Sequence, residues 1–581
     1  MNMKKKMMPI LVATVFAIVV AIIATCSVLV KKYTPSNEHV VLSDYYKIKA
    51  EDEMAIILNH QQLEQKAKFL DGYAYLDYEV VKNNLNGRFY WDAYENIMRY
   101  TTNKDVISVN AGSKEYNINK EKQTQNYTIV RIDGSMMYIA LDFIQQYTDI
   151  DFKVYEEPNR VLITSDWAEV SHAQIRKKTQ IRLKGGIKSP IIADLEKGAA
   201  VVLLEQGEEW SKVSTEDGYI GYVRNKRMAT FVPKQEARIP SYEEPEFTHL
   251  RKDEAISLAW HQVTNQEGNE TVSQKLQNAK GVNVISPTWF YLNDNDGNIA
   301  NLASTSYVNY CHQNGVEVWA LISNLENSDV DTLAVLSHTS KRDYLTNQII
   351  AAAIEYNLDG INLDFESLKA EAGDSFIQFV RELSIKCDNN NLVFSIDNYV
   401  PMEYTAFYNR KEQALYADYI IIMAYDEHYR GSEEGPVASI GFVRGGVENT
   451  LKEVPAEQII LGMPFYTRIW ELEPKGTDED DEELATPDNL PYTVSCTEVG
   501  MQTAENTFKE NGAEVNWSTD AGQYYTEYEK NGKTYKIWWE EETSIEEKCK
   551  IMKEHALAGA AYWKIGLERT SVWDTIIKYV N

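Results

Sequence analysis

The segment LDGINLDFESL, Leu358–Leu368, alternates strictly between two kinds of side chain. Ile361, Leu363 and Phe365 are apolar, whereas Asn362, Asp364 and Glu366 are polar or acidic. A period of two is the signature of a β-strand with two different faces. The flanking sequence has the apolar density of a buried α/β protein, whose strands are usually apolar on both faces. Unpaired buried charge is expensive, so an amide and two carboxylates on one face of such a strand call for a functional reason.

Outward from this strand, strand-like and helical patterns alternate to the end of the chain. Strands are expected at AISLAWHQV, GVNVISPTWFYL, GVEVWALISN, LDGINLDFE, NLVFSIDNYV, ADYIIIMAYDEH, IILGMPFYTRIW and GAAYWKIGLE. Amphipathic stretches such as RDYLTNQIIAAAIEYN and DSFIQFVRELSIKCDN lie between them. Eight strands separated mostly by helices predict an α/β fold, a (β/α)8 TIM barrel over residues 245–581. An insertion is expected between strands 7 and 8. It contains the acidic run TDEDDEEL and the strand-like YYTEYEKNGKTYKIWW with an Asn-Gly turn. In such a barrel the side chains at strand C-terminal ends form the active site, which puts Asn362, Asp364 and Glu366 there.

Four motifs then fall in barrel order: DGINLDFE, MAYD (Met423–Asp426), GMPFY (Gly462–Tyr466) and AAYWKIG with Trp563. Together they resemble glycoside hydrolase family 18, the chitinase-like family, over roughly Ser257–Leu567. Asp359, Asp364 and Glu366 match its D-x-x-D-x-D-x-E signature. Asn362 departs from it and, with SPTWF and LAWHQV, resembles the bacterial cell-wall and spore-cortex N-acetylglucosaminidases of that family. The resemblance implies a retaining mechanism in which the acetamido oxygen of the substrate attacks, so that a single protein acid suffices; most glycosidases instead need two carboxylates. Glu366 would be the acid and then the base. Asp364 would hold the acetamido N–H and press on Glu366 as a like charge. Tyr425 would bond the acetamido carbonyl, and Trp563 would form the floor beneath the sugar ring. Asn362, Asp426 and Tyr466 complete the expected substrate-binding set, with Asn362 able to hydrogen-bond Asp364. Asp359 is out of phase with the other acids and reads as a structural residue at strand entry. The rival reading is a non-catalytic glycan-binding or wall-tethering surface protein on the same barrel, against which retention of Glu366 argues.

The rest of the 581-residue chain suggests an exported wall protein. Lys4–Lys6 precede an apolar run, Met7–Val30, followed by Lys31 and Lys32. A run of ~20 apolar residues spans a bilayer and exceeds the h-region of a cleaved signal peptide. Residues 1–34 are therefore expected to be an uncleaved transmembrane signal-anchor, with the body outside the cell membrane. YLDYEVVKNNLNGRFYWDAYENIMRY (from Tyr75) and YIALDFIQQYTDIDFKVYEEPNRVLI (from Tyr138) repeat one another, each reading as a short helix and a hairpin. They resemble a copper amine oxidase N-terminal-like domain, placed at 35–172, with no implication of copper. Residues 173–232, with Trp210 and the DGYIGYV hairpin, resemble a bacterial SH3-like domain. A Pro- and charge-rich linker, Phe231–Phe247, precedes the barrel.

Five scattered cysteines without a CxxC pair, and nine histidines without HExxH, offer no metal-site spacing; no cofactor or metal is expected. A net charge of -29 argues against nucleic acid as a partner. A glycan polymer, peptidoglycan or chitin-like, is the expected partner, with the membrane engaged through the N-terminal helix.

Overall fold

The computed structural model describes residues 4–235, 242–475 and 491–580. The run TDEDDEEL lies outside the described residues, as does part of the linker. The chain divides into two compact units.

In the first unit an α-helix runs over Lys4–Tyr33, and its Met8–Tyr33 portion is long and apolar enough to cross a membrane. β-Rich structure follows. The expected repeat is present as secondary structure: helix Tyr78–Asn84 then strands Phe89–Asp92 and Ile97–Thr101, of which residues 90–101 are counted with the second unit, and helix Leu141–Gln145 then strands Asp151–Tyr155 and Arg160–Thr164. Both hairpins turn where YEN and EEPN stand, with Asn96 and Glu157 at positive φ. Residues 169–235 form a seven-stranded sheet.

The second unit contains residues 245–580 together with 90–108 and 117–121. Its centre is a closed parallel barrel of eight strands. These are β1 (Ile256–His261), β2 (Val284–Leu292), β3 (Glu317–Ser323), β4 (Gly360–Asp364), β5 (Val393–Tyr399), β6 (Tyr419–Met423), β7 (Ile459–Pro464) and β8 (Gly559–Trp563). Each strand pairs with the next in parallel, and β8 closes onto β1. The closure needs Gly559, because a Cβ there would sit 2.0 Å from the Ile256 carbonyl oxygen. Two apolar layers follow from the pleat. Ile256, Leu258, Trp260, Trp319, Leu321, Ile421, Ile460 and Ala561 fill the barrel interior. Alternate residues such as Ile361, Leu363, Ile396 and Ile422 face the surrounding helices.

Between β7 and β8 stands the expected insertion, a five-stranded antiparallel sheet with helix Met501–Glu510. Its first strand, Tyr466–Pro474, continues directly from β7. Its hairpin Gln523–Lys530/Lys533–Trp539 turns at Asn531–Gly532, both at positive φ, as an Asn-Gly two-residue turn requires.

Candidate active site

The inner faces of β4 and β5 form a ladder of polar pairs. Asn362 is in register with Ser395, and Leu363 with Ile396. One step further, Asp364 stands beside Asp397, and beyond the strand end Glu366 accepts a hydrogen bond from Tyr399. The Glu366 backbone is clamped from β3's end: its N–H donates to Asn324 Oδ1 (2.8 Å), and Asn324 Nδ2 donates to its carbonyl (2.9 Å). Ser367 then turns at φ 54° and gives its N–H to the Tyr399 hydroxyl.

Burial is the main cause that pushes the Glu366 carboxyl above the usual carboxylate range; Tyr399 opposes it, and Asp426 and Glu326 add to it. Desolvation, rather than the like-charge pressure expected from Asp364, is the leading cause. Asp364 itself is pushed well up by burial, then by Glu366, Asp397 and Glu326. Its Oδ1 is buried without a hydrogen-bond partner, an acceptor free for an incoming N–H.

Tyr425, just past β6, is held in its protonated form by burial, reinforced by Tyr466, Asp397, Asp364 and Glu366. A neutral phenol there is a hydrogen-bond donor. Its ring meets that of Tyr466 edge to face at 6.4 Å. The Tyr466 hydroxyl donates to Asp426, whose backbone is at φ 59°, and Arg468 pairs with Asp426 at 2.8 Å. Trp563, at the end of β8, is half-buried and packs edge to face on Trp260 at 6.0 Å.

Asn362 requires a correction. It is fully buried, so it does not reach substrate. Its Oδ1 accepts from Trp260 Nε1 (2.9 Å) and Ser286 Oγ (3.0 Å). Its amide donates to Ser395 Oγ (3.1 Å) and Asp397 Oδ1 (2.8 Å). Both donors are used, and the expected bond to Asp364 is not made. Asp359 is structural, accepting from the Val318 N–H and lying 2.8 Å from His312 Nε2.

Residues 256–568 match the model of glycosyl hydrolases family 18, and residues 57–163 match that of the copper amine oxidase N-terminal domain. The chain belongs to glycosyl hydrolase family 18. Among relatives, the uncharacterized glycosylase YvbX of Bacillus subtilis is 26% identical over 310 residues, covering 51% of this chain and 84% of its own. The cortical fragment-lytic enzyme of Bacillus subtilis is 26% identical over 325 residues, covering 53% and 70%. The spore cortex-lytic enzyme SleL of Bacillus cereus shares the fold, with TM-score 0.50 at 20% identity over 58% of this chain and 76% of that one. The family 18 barrel is therefore that of a glycoside hydrolase. Asp397, Tyr399, Asn324 and Arg468 were not among the residues expected at the site. The same alternation that marks β4 marks β5, where Ser395, Asp397 and Tyr399 share a face.

Proposed function

We propose that this chain hydrolyses β-linked N-acetylglucosamine polymers of peptidoglycan at the bacterial cell surface, with retention and by substrate assistance. The observation that carries the reading is the Asp364 carboxylate oxygen, buried and unpartnered beside Glu366 and the protonated Tyr425. An acetamido group supplies what that cluster lacks. Its N–H meets Asp364, and its carbonyl meets the Tyr425 hydroxyl. The carbonyl oxygen is thereby aimed at the anomeric carbon. Glu366, its carboxyl raised above the usual range by burial, gives its proton to the leaving oxygen. It then takes one from water as the cyclic intermediate opens. Asp364 as an anion stabilises the positive charge of that intermediate. Trp563 offers an apolar face to the sugar ring, and the exposed Asp426 carboxylate, held by Tyr466 and Arg468, offers a sugar-hydroxyl partner.

Peptidoglycan is favoured over chitin by relatives named as cortical fragment-lytic enzymes and by the additional β-rich region. The 173–232 region is assigned as SH3-like on its strand and turn pattern, and the helix Lys4–Tyr33 as the anchor. The test incubates the chain lacking residues 1–34 with N-acetylated and de-N-acetylated glycans of both polymers and reads product mass and first anomer. Cleavage confined to N-acetylated glycan, with the β-anomer released first, is expected. Equal cleavage of both, or an inverted product, overturns substrate assistance.

A further inference from the structure

The ladder between β4 and β5 places two carboxyl groups side by side. Asn362 and Ser395 are in register and bonded, so Asp364 and Asp397, two residues on, share the inner face of strands ~4.8 Å apart. Asp397 is 3% exposed and Asp364 faces the same interior. Among the described residues neither carboxyl pairs with a lysine or arginine. Asn362 gives Asp397 a 2.8 Å hydrogen bond and has no donor left for Asp364. Two unpaired anions at this separation, Asp397 buried and Asp364 half-buried with no cation beside them among the described residues, repel, so the pair is stable with one proton between them.

We propose that Asp397 is a positioning residue of the hydrolytic reaction, the seat of the one negative charge that the Asp364/Asp397 pair carries before substrate binds. This rests on the reading of Asp364 as the group facing the acetamide. In the resting enzyme Asp397 is the anion, fixed by the Asn362 amide, and Asp364 carries the proton. As positive charge grows on the sugar, rotation of the Asp364 carboxyl passes its proton to Asp397. One O–H bond breaks at Asp364 and one forms at Asp397, and no other reactant is involved. The charge thus moves one strand toward the reacting carbon when it is needed there. Asn362, neutral and saturated, cannot take that proton itself. The groups facing the pair are Glu366 from just past β4, Tyr399 from β5, Glu326 from the loop after β3 and Tyr425 from just past β6. Glu326 and Glu366 add negative charge and both phenols are neutral, so none of them neutralises the pair.

The test compares D397N, the double variant N362D/D397N and E366Q on an N-acetylglucosamine oligomer, with kcat, KM and their pH profiles. Asn keeps the shape of Asp397. D397N is expected to lower kcat at least ~10-fold with KM within ~3-fold. It should also move the acid limb of kcat to higher pH, because the Asp364 anion loses its proton-sharing partner. The double variant returns an acid to the same buried cluster two residues before Asp364, and is expected to recover most of the lost rate. A merely structural role would lower activity without moving the limb. Unchanged kcat and limb in D397N, or a well-folded double variant no better than D397N, overturns the proposal. If D397N does not fold, the double variant decides alone: near-parental kcat supports the shared proton, and loss of kcat without a limb shift refutes it. An E366Q enzyme that stays active would instead refute the assignment of the acid, whatever Asp397 does.

Discussion

At the scale of single residues, the site separates two carboxyls by what surrounds them. Both are lifted first by burial and then by acidic neighbours, but only Glu366 has an opposing hydrogen bond, from Tyr399. Glu366→Gln removes the ionisable proton and keeps the shape. A loss of ~10²–10⁴-fold in kcat is expected, with binding of a thiazoline mimic of the cyclic intermediate retained, as checked by oligomer hydrolysis and calorimetry. Because the Glu366 carboxyl titrates above its ordinary value, the acid form persists to higher pH than for a free glutamate. The alkaline limb of kcat/KM should accordingly lie above the usual carboxylate range, and a limb near the free-glutamate value would contradict this. Tyr425→Phe deletes the donor expected at the acetamido carbonyl. Its cost should be roughly 10²-fold in kcat, with KM changed less, read by the same assay.

At the scale of elements, the insertion matters because its first strand delivers Tyr466 and Arg468 to Asp426 at the barrel mouth. Its last strand is tied down by a wholly buried ion pair. Lys548 on helix Glu542–Glu554 donates to both oxygens of Glu540 at 2.9 and 3.0 Å, and Ser544 Oγ donates to the same carboxylate at 2.7 Å. Removing one partner strands the other charge without water, a penalty of ~3–5 kcal/mol. Lys548→Met should therefore lower the unfolding free energy by about that amount in a denaturant titration. The double variant Lys548→Met/Glu540→Leu should recover much of it, since the stranded charge is gone. Element order was legible in the sequence because most barrel strands are apolar runs and β4 shows a two-residue alternation, and the Asn531–Gly532 turn carried its conformation openly. The pairing of side chains across strands was not. That Asp397 neighbours Asp364 depends on the β4–β5 register, which no local pattern encodes. Asn362 was misplaced for the same reason: its four partners, Trp260, Ser286, Ser395 and Asp397, come from three other strands. Arg468 escaped notice because it lies two residues past the GMPFY motif, on a strand outside the barrel.

At the scale of the whole molecule, the sequence couples a chain of net charge -29 to one strongly apolar helix. An acidic surface is repelled by anionic lipid, an interaction that salt screens over ~10 Å, so lasting residence at a membrane has to come from burial of the helix itself. The apolar portion Met8–Tyr33 has 26 residues, or ~39 Å at 1.5 Å per residue, against a hydrocarbon core of ~30 Å. It is therefore long enough to span the core with a turn or two to spare, which in a spanning helix would leave Lys31 and Lys32 near one headgroup layer. The extra length fits tilting rather than an interfacial lie, because the helix has no polar face on which to rest. Full-length chain is expected in the membrane fraction, resistant to extraction by high salt or carbonate and released by detergent. Deleting residues 1–34 should transfer it to the soluble fraction with oligomer hydrolysis unchanged, since all eight barrel strands are drawn from residues 256–563. The intact mass of the membrane-bound form decides between anchor and cleaved leader: a mass retaining the helix is expected, and a soluble exported form cut near Thr25 would overturn the anchor.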